Sequence, residues 1–218
     1  MSSTPLRCMN VKMLNLSGPL EKAATLVDVT GVERLVNVEC NRDPDWSLQL
    51  LQCAASSLEQ LSVFYPQEAH LHALQTMPRL RRLHVSHPGG SANEIVPDAL
   101  APVLQALPPG YGGLQWLRAW RLPRPTLQSL LSAHGHSLEY LQLRVGTKGR
   151  NAWPLSCGDL EDFLRNCNLR ALRRLVMVRR DCSHTLAACN LQRAKVQRLL
   201  SGTRVLCDLC DHVPVDVL

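Results

Sequence analysis

The chain has 218 residues, a mass of 24.3 kDa and 45% hydrophobic side chains, which fits one ordinary domain or a short repeat array and excludes a disordered chain. Its 24 basic and 18 acidic residues leave a formal charge of +6, which favours acidic partners but is too mild for a histone-like nucleic-acid binder. No apolar run reaches the ~18 residues of a membrane span. No secretion signal is expected at the N-terminus, and nine scattered cysteines do not read as a disulfide scaffold. Reduced thiols in cytoplasm or nucleus are therefore expected.

In chain order one short pattern keeps returning, apolar-x-x-Leu-x-apolar. It reads Val11-Lys-Met-Leu14-Asn-Leu16, then Val32-Glu-Arg-Leu35, where Asn37 takes the last apolar place and Val38 follows. A helix is predicted next over Trp46 to Ala55, with Leu48, Leu51 and Ala55 at helical spacing. Leu58-Glu-Gln-Leu61-Ser-Val63 follows, then a helix over Glu68 to Met77, then Leu80-Arg-Arg-Leu83-His-Val85. After a Pro88-Gly-Gly loop, a helix is predicted over Ala99 to Leu107, carrying Leu100, Val103, Leu104 and Leu107. Leu114-Gln-Trp-Leu117-Arg-Ala119 precedes a helix over Thr126 to Ala133. Leu138-Glu-Tyr-Leu141-Gln-Leu143 precedes a second long loop, Gly146 to Pro154, and a helix over Asp159 to Cys167. Leu172-Arg-Arg-Leu175-Val-Met177 follows, then a helix-like stretch from Gln192 to Leu200 and a last short unit at Val205-Leu-Cys207.

The Leu-x-apolar end of each unit alternates with period two, as a half-buried strand does. The helices span two or three turns and are marginal in isolation. No single strand–helix unit buries its own leucines, but a stack of them does. With nine aromatic residues in the chain, the core must be aliphatic. The expected architecture is an α/β solenoid of about seven repeats, with parallel strands on the concave side and short helices on the convex side. It forms one domain over 1–218, with repeats over about 9–200 and a terminal strand and tail over 201–218.

Repeated six times, these residues resemble the leucine-rich repeat family, and most closely the cysteine-containing repeats of F-box/leucine-rich-repeat substrate receptors. The position eight residues after the first leucine, Asn or Cys in that family, is filled here only once by cysteine, Cys40; the other units place Pro19, Pro66, Pro88, Leu122, Gly146 and Arg180 there. The resemblance implies a non-enzymatic protein–protein interaction scaffold, the substrate-recognition part of an SCF-type ubiquitin ligase, with ubiquitin-ligase components among its partners. The first repeat starts so early that no F-box is expected ahead of it.

In this fold the residues at offsets +2, +4 and +6 from each first leucine face the concave side. Five units place fifteen residues there, among them Phe64, Arg82, His84, Trp116, Arg118, Trp120, Tyr140, Arg144 and Arg174. The fifteen hold four of the nine aromatics, four arginines and no acidic residue. Trp, Tyr and Arg dominate binding energy at interfaces, and bidentate arginine suits carboxylate or phosphate. These nine residues are therefore the expected partner-binding set, for an acidic or phosphorylated protein segment. The competing reading folds Trp116 or Trp120 beneath an inserted loop as local core. Single-stranded nucleic-acid binding through the same face is the alternative function; four lysines in all and no nucleic-acid module count against it.

No nucleophile elbow, zinc-protease, P-loop or dinucleotide motif is present, so no enzyme activity, catalytic residue or cofactor is expected. His134-Gly-His136 reads as a solvated helix-end cap. Near the C-terminus, Cys182, Cys189, Cys207 and Cys210, with His184 and His212 beside them, have the ligand types of tetrahedral zinc. Their irregular spacing favours separate thiols over a metal site or a redox pair.

Overall fold

The computed structural model describes residues 7–13, 16, 18–87, 102–107 and 109–214. Eight strands form one open, parallel sheet whose spatial order follows the sequence: β1 (Cys8–Asn10), β2 (Arg34–Glu39), β3 (Gln60–Phe64), β4 (Arg82–Ser86), β5 (Trp116–Trp120), β6 (Tyr140–Arg144), β7 (Arg174–Val178) and β8 (Arg204–Cys207). The described helices are α1 (Pro19–Asp28), α2 (Pro44–Ala54), α3 (Glu68–Ala73), α4 (Arg124–His134), α5 (Leu160–Arg165) and α6 (Leu186–Leu199). Parallel neighbours require a crossover between every pair of strands, and the helices lie in those crossovers. The architecture is α/β and compatible with a solenoid. No helix among the described residues is long and apolar enough to cross a membrane.

The repeat pattern sets the register. Leu61 pairs with Leu83, Leu83 with Leu117, Leu117 with Leu141 and Leu141 with Leu175, so the second leucines form one continuous row. Val63, Val85, Ala119, Leu143 and Met177 form the next row. Both rows are buried in one core with helix side chains Leu50, Leu51, Leu127, Leu130, Leu160 and Phe163. The helices thus cover one face of the sheet, and each buried leucine contributes roughly 1.5–3 kcal/mol through removal from water. The first leucines, Leu58, Leu80, Leu114, Leu138 and Leu172, sit just before their strands and are buried too. Local capping fixes the helix starts. Asp43 accepts the Trp46 N–H at 3.1 Å ahead of Pro44, and Thr185 accepts the Ala188 N–H at 3.3 Å.

Several expectations change. The first unit is displaced: Cys8–Asn10 is the strand, Met9 pairs with Leu35, and Val11 begins a 3-10 turn. Leu14 lies outside the described residues. The irregularity at Asn37 is a bulge: Asn37 takes a left-handed φ of 61°, donates to Asn10 Oδ1 at 2.9 Å, and returns Val38 to the core. Residues 102–107 form no helix, although Leu104 is buried; the rest of the Ala99–Leu107 prediction, and the loop at Pro88, lie outside the described residues. Helix α1 was not expected, because its exposed Leu20 and Val27 break the apolar stripe. Helix α6 begins six residues before the expected Gln192. The count of eight strands does not change: β1 to β7 correspond to the seven expected units, and β8 is the short terminal strand. His134 is not solvated: it is buried at the end of α4, and its Nδ1 accepts the Leu114 N–H at 3.1 Å.

Candidate functional site

The opposite face of the sheet gathers the whole predicted set. Along one row Arg34, Gln60, Arg82, Trp116, Tyr140, Arg174 and Arg204 pair in register from β2 to β8. Along the next, Ser62, His84, Arg118, Gln142 and Val176 pair from β3 to β7. Neighbouring strands stand about 4.8 Å apart, so long side chains at one offset lie across each other. Trp116 and Tyr140 stack at 6.0 Å with 13° between their planes. Arg82 sits 4.9 Å over Trp116, and Arg174 sits 5.2 Å over Tyr140. The aromatic pair is therefore sandwiched between two guanidiniums. Arg118 lies 3.9 Å from the Trp120 ring centre and Arg144 5.7 Å. His84 meets Phe64 and Trp120 edge-on, at 5.3 and 5.9 Å.

This packing corrects the expected exposure. Trp116, His84 and Arg118 are 7%, 7% and 4% exposed. Phe64, Arg82, Trp120, Tyr140, Arg144 and Arg174 keep partial access. Burial, then the charge of Arg118, pushes the His84 imidazole down to about 3, so it is neutral; its Nδ1 lies 3.1 Å from Ser62 Oγ. With its ring faces covered, the Trp116–Tyr140 pair offers no open surface for a stacked base.

A cleft of about 520 Å³ opens at the far end of β5–β7. Arg118, Trp120 and Arg144 form one side, joined by Arg180 from the turn after β7. Val178, Leu209, Val213 and Pro214 supply apolar walls. Two acidic residues enter from turns that the strand pattern did not include. Asp181 pairs with Arg144 at 3.0 Å, and Asp208 accepts the Arg179 and Leu209 backbone N–H groups at 2.8 and 2.9 Å. Trp120 Nε1 and Arg144 Nε are buried donors with no partner among the described residues. Both belong to side chains that line the cleft.

The C-terminal cysteines are not separate. His184 Nε2 lies 3.3 Å from Cys210 Sγ and 3.7 Å from Cys207 Sγ, and Cys210 Sγ lies 3.8 Å from Cys189 Sγ. All four ligand atoms fall within 4.8 Å of one another, and they are the residues that could hold a metal. Cys182 is outside the group; its thiol is drawn instead towards Arg144, and burial raises its pKa. Burial also pushes Cys189 up to about 12 and Cys210 upward. Sequence spacing offered both Cys182 and His184, and only the fold selects the histidine.

Beside this group stands a feature that the sequence pattern did not single out. Arg179, 1% exposed, donates to the Val145 carbonyl, to Gln192 Oε1 at 2.5 Å and to Met177 Sδ at 3.1 Å. Gln192 in turn donates to the Cys157 carbonyl at 2.7 Å. This chain of contacts ties β7, α6 and the loop after β6 together.

No protein-family model, curated protein or solved structure matches the chain.

Proposed function

We propose that the protein is a non-catalytic, leucine-rich-repeat-type scaffold that binds an acidic or phosphorylated protein segment on its strand face. The observation that carries this reading is the basic and aromatic row running across the sheet into the cleft at Trp120, Arg144 and Arg180. The guanidiniums suit carboxylate or phosphate, the apolar walls suit a flanking side chain, and the unpartnered Trp120 N–H suits an acceptor. The repeat resemblance extends this to substrate recognition in ubiquitin ligation, in cytoplasm or nucleus. Recovery of cullin adaptors with the full chain from native cells would support that extension, and their consistent absence would count against it.

The direct test is fluorescence anisotropy of the full chain with acidic, phosphoserine-containing and neutral peptides of equal length, and with an oligothymidine. Acidic or phosphorylated peptides are expected to bind best. Trp120→Ala with Arg180→Glu is expected to weaken them by more than about tenfold, as loss of an interface anchor does. Equal binding of neutral peptides, or no change in the double variant, would remove the reading. Preferred, steeply salt-dependent oligothymidine binding would transfer the face to nucleic acid.

A further inference from the structure

We propose that His184, Cys189, Cys207 and Cys210 form a structural zinc site that fastens the last strand and the C-terminal turn to α6. The four residues come from three places: the segment before α6, the first turns of α6, and the end of β8 with the turn that follows. A tetrahedral zinc with ~2.3 Å bonds to sulfur and ~2.0 Å to nitrogen sets its ligands roughly 3.8 Å apart between sulfurs and roughly 3.5 Å apart between sulfur and nitrogen. The separations of 3.8, 3.3 and 3.7 Å match that tetrahedron, and the remaining pairs, all within 4.8 Å, need to close by about 1 Å or less. Three thiolates and one imidazole are a soft set that selects zinc over the hard divalent cations.

Two observations independent of those distances point the same way. Among the described residues Arg179 is a buried guanidinium with no ion pair. Its hydrogen-bond partner Gln192, at 2.5 Å, lies three residues after Cys189 on α6. Zinc with three thiolates carries a net charge of −1, which is the counter-charge that Arg179 otherwise lacks. Binding would release three thiol protons to solvent, with no change of oxidation state. The turn is also shaped for the task. Asp211 accepts the Cys207 N–H at 2.7 Å and returns its own N–H to the Cys207 carbonyl at 2.9 Å, while Arg193 on α6 holds the Asp211 carboxylate at 3.1 Å. That brace presents Cys207 and Cys210 on one side and acts as the outer support that ligating residues need.

The consequence for the fold is local. Among the described residues β8 is a four-residue edge strand with a neighbour on one side only. A metal there would hold it to the stack and would fix Asp208 and Leu209, which line the cleft.

The full chain, produced in zinc-supplemented medium, is assayed for metal content and for free thiols, and the apo protein is titrated with cobalt(II). The expected result is about one zinc per chain and the visible absorption of tetrahedral cobalt with thiolate ligands. His184→Ala and Cys210→Ser are expected to lower zinc affinity by more than about 100-fold. Cys182→Ser and the exposed Cys53→Ser are expected to leave it within about twofold and serve as folded controls. No metal together with two fewer free thiols than the nine cysteines provide would replace the site with a disulfide. Nine free thiols with no metal, or cobalt lost on Cys182→Ser, would overturn the proposal.

Discussion

Replacing Arg179 by methionine tests whether the buried contacts beneath the cleft hold the C-terminal third together. Methionine keeps the length of the side chain but has no donors. It would strand Gln192 Oε1 and the Val145 carbonyl, both buried, which now accept from the guanidinium. An unsatisfied buried acceptor costs about 1–3 kcal/mol, so the pair costs about 2–6 kcal/mol. Removing a buried charge returns some of its desolvation penalty, which lowers the net to about 2–4 kcal/mol. Urea unfolding of the full chain, followed by circular dichroism, measures the change, and a midpoint shift at unchanged slope is expected. The double variant Arg179→Met with Gln192→Leu should show coupling of about 1–2 kcal/mol, because the two side chains share a 2.5 Å hydrogen bond. A single-variant loss below about 0.5 kcal/mol, which is the scale of surface substitutions, would refute the reasoning.

Two further outcomes follow from the core and from the buried histidines. Leu117→Ala, at the middle of the leucine row with no exposed area, should cost about 2–5 kcal/mol in the same urea assay, while Val103→Ala, 62% exposed, should stay within about 0.5 kcal/mol. Similar losses at the two positions would contradict the single-core description. Burial lowers His84 to about 3 and His134 to about 4, with the charges of Arg118 and His136 adding to the respective effects. A histidine held neutral in the fold but titrating near 6.5 when unfolded contributes its full stability above about pH 6.5 and loses it as pH falls towards the folded value. The complete shifts correspond to ~5 and ~3 kcal/mol at about 1.4 kcal/mol per unit. Thermal melts should therefore fall steadily from pH 7 to pH 5, above the range where carboxylates titrate, and His134→Gln should flatten that slope. A melting temperature independent of pH across that range would contradict the buried, neutral assignment.

The strands were legible because their pattern is both local and repeated. Five of them, β3 to β7, coincide with offsets +2 to +6 from the first leucine, since period-two alternation and a buried leucine row leave a single register. Helices α1 and α6 were less legible because their stripes are broken. α1 buries Thr25 and exposes Leu20 and Val27, while α6 buries Cys189, Gln192 and Val196 and exposes Leu186 and Leu191. In α6 a glutamine sits where periodicity looks for a leucine, and its reason is Arg179, thirteen residues away, which no window of helical spacing includes. The choice between Cys182 and His184 was hidden in the same way. A left-handed turn at Asp181, with φ of 60°, precedes two candidate ligands only two residues apart, and their tertiary neighbours decide which one joins the cysteines.

The nine residues of the strand face were found by register, but register says nothing about how far neighbouring side chains cover each other. That cover alters what the face can do. An arginine held against an indole has already surrendered much of its rotamer freedom, so less entropy is lost when it meets an anion. Arg118 on Trp120 and Arg82 on Trp116 are such cases. The same contacts hide most of Trp116 and Arg118, so neither can supply the large buried area of an interface anchor. On the proposed reading, recognition is displaced from the centre of the sheet, where the sequence concentrates its aromatics, to the cleft beyond it, where Trp120 and Arg144 keep donors without a partner among the described residues and Arg180 is exposed. The central row is then a rigid, charged platform, and the specificity of any partner should be decided by the turns after β7 and β8 that close around it.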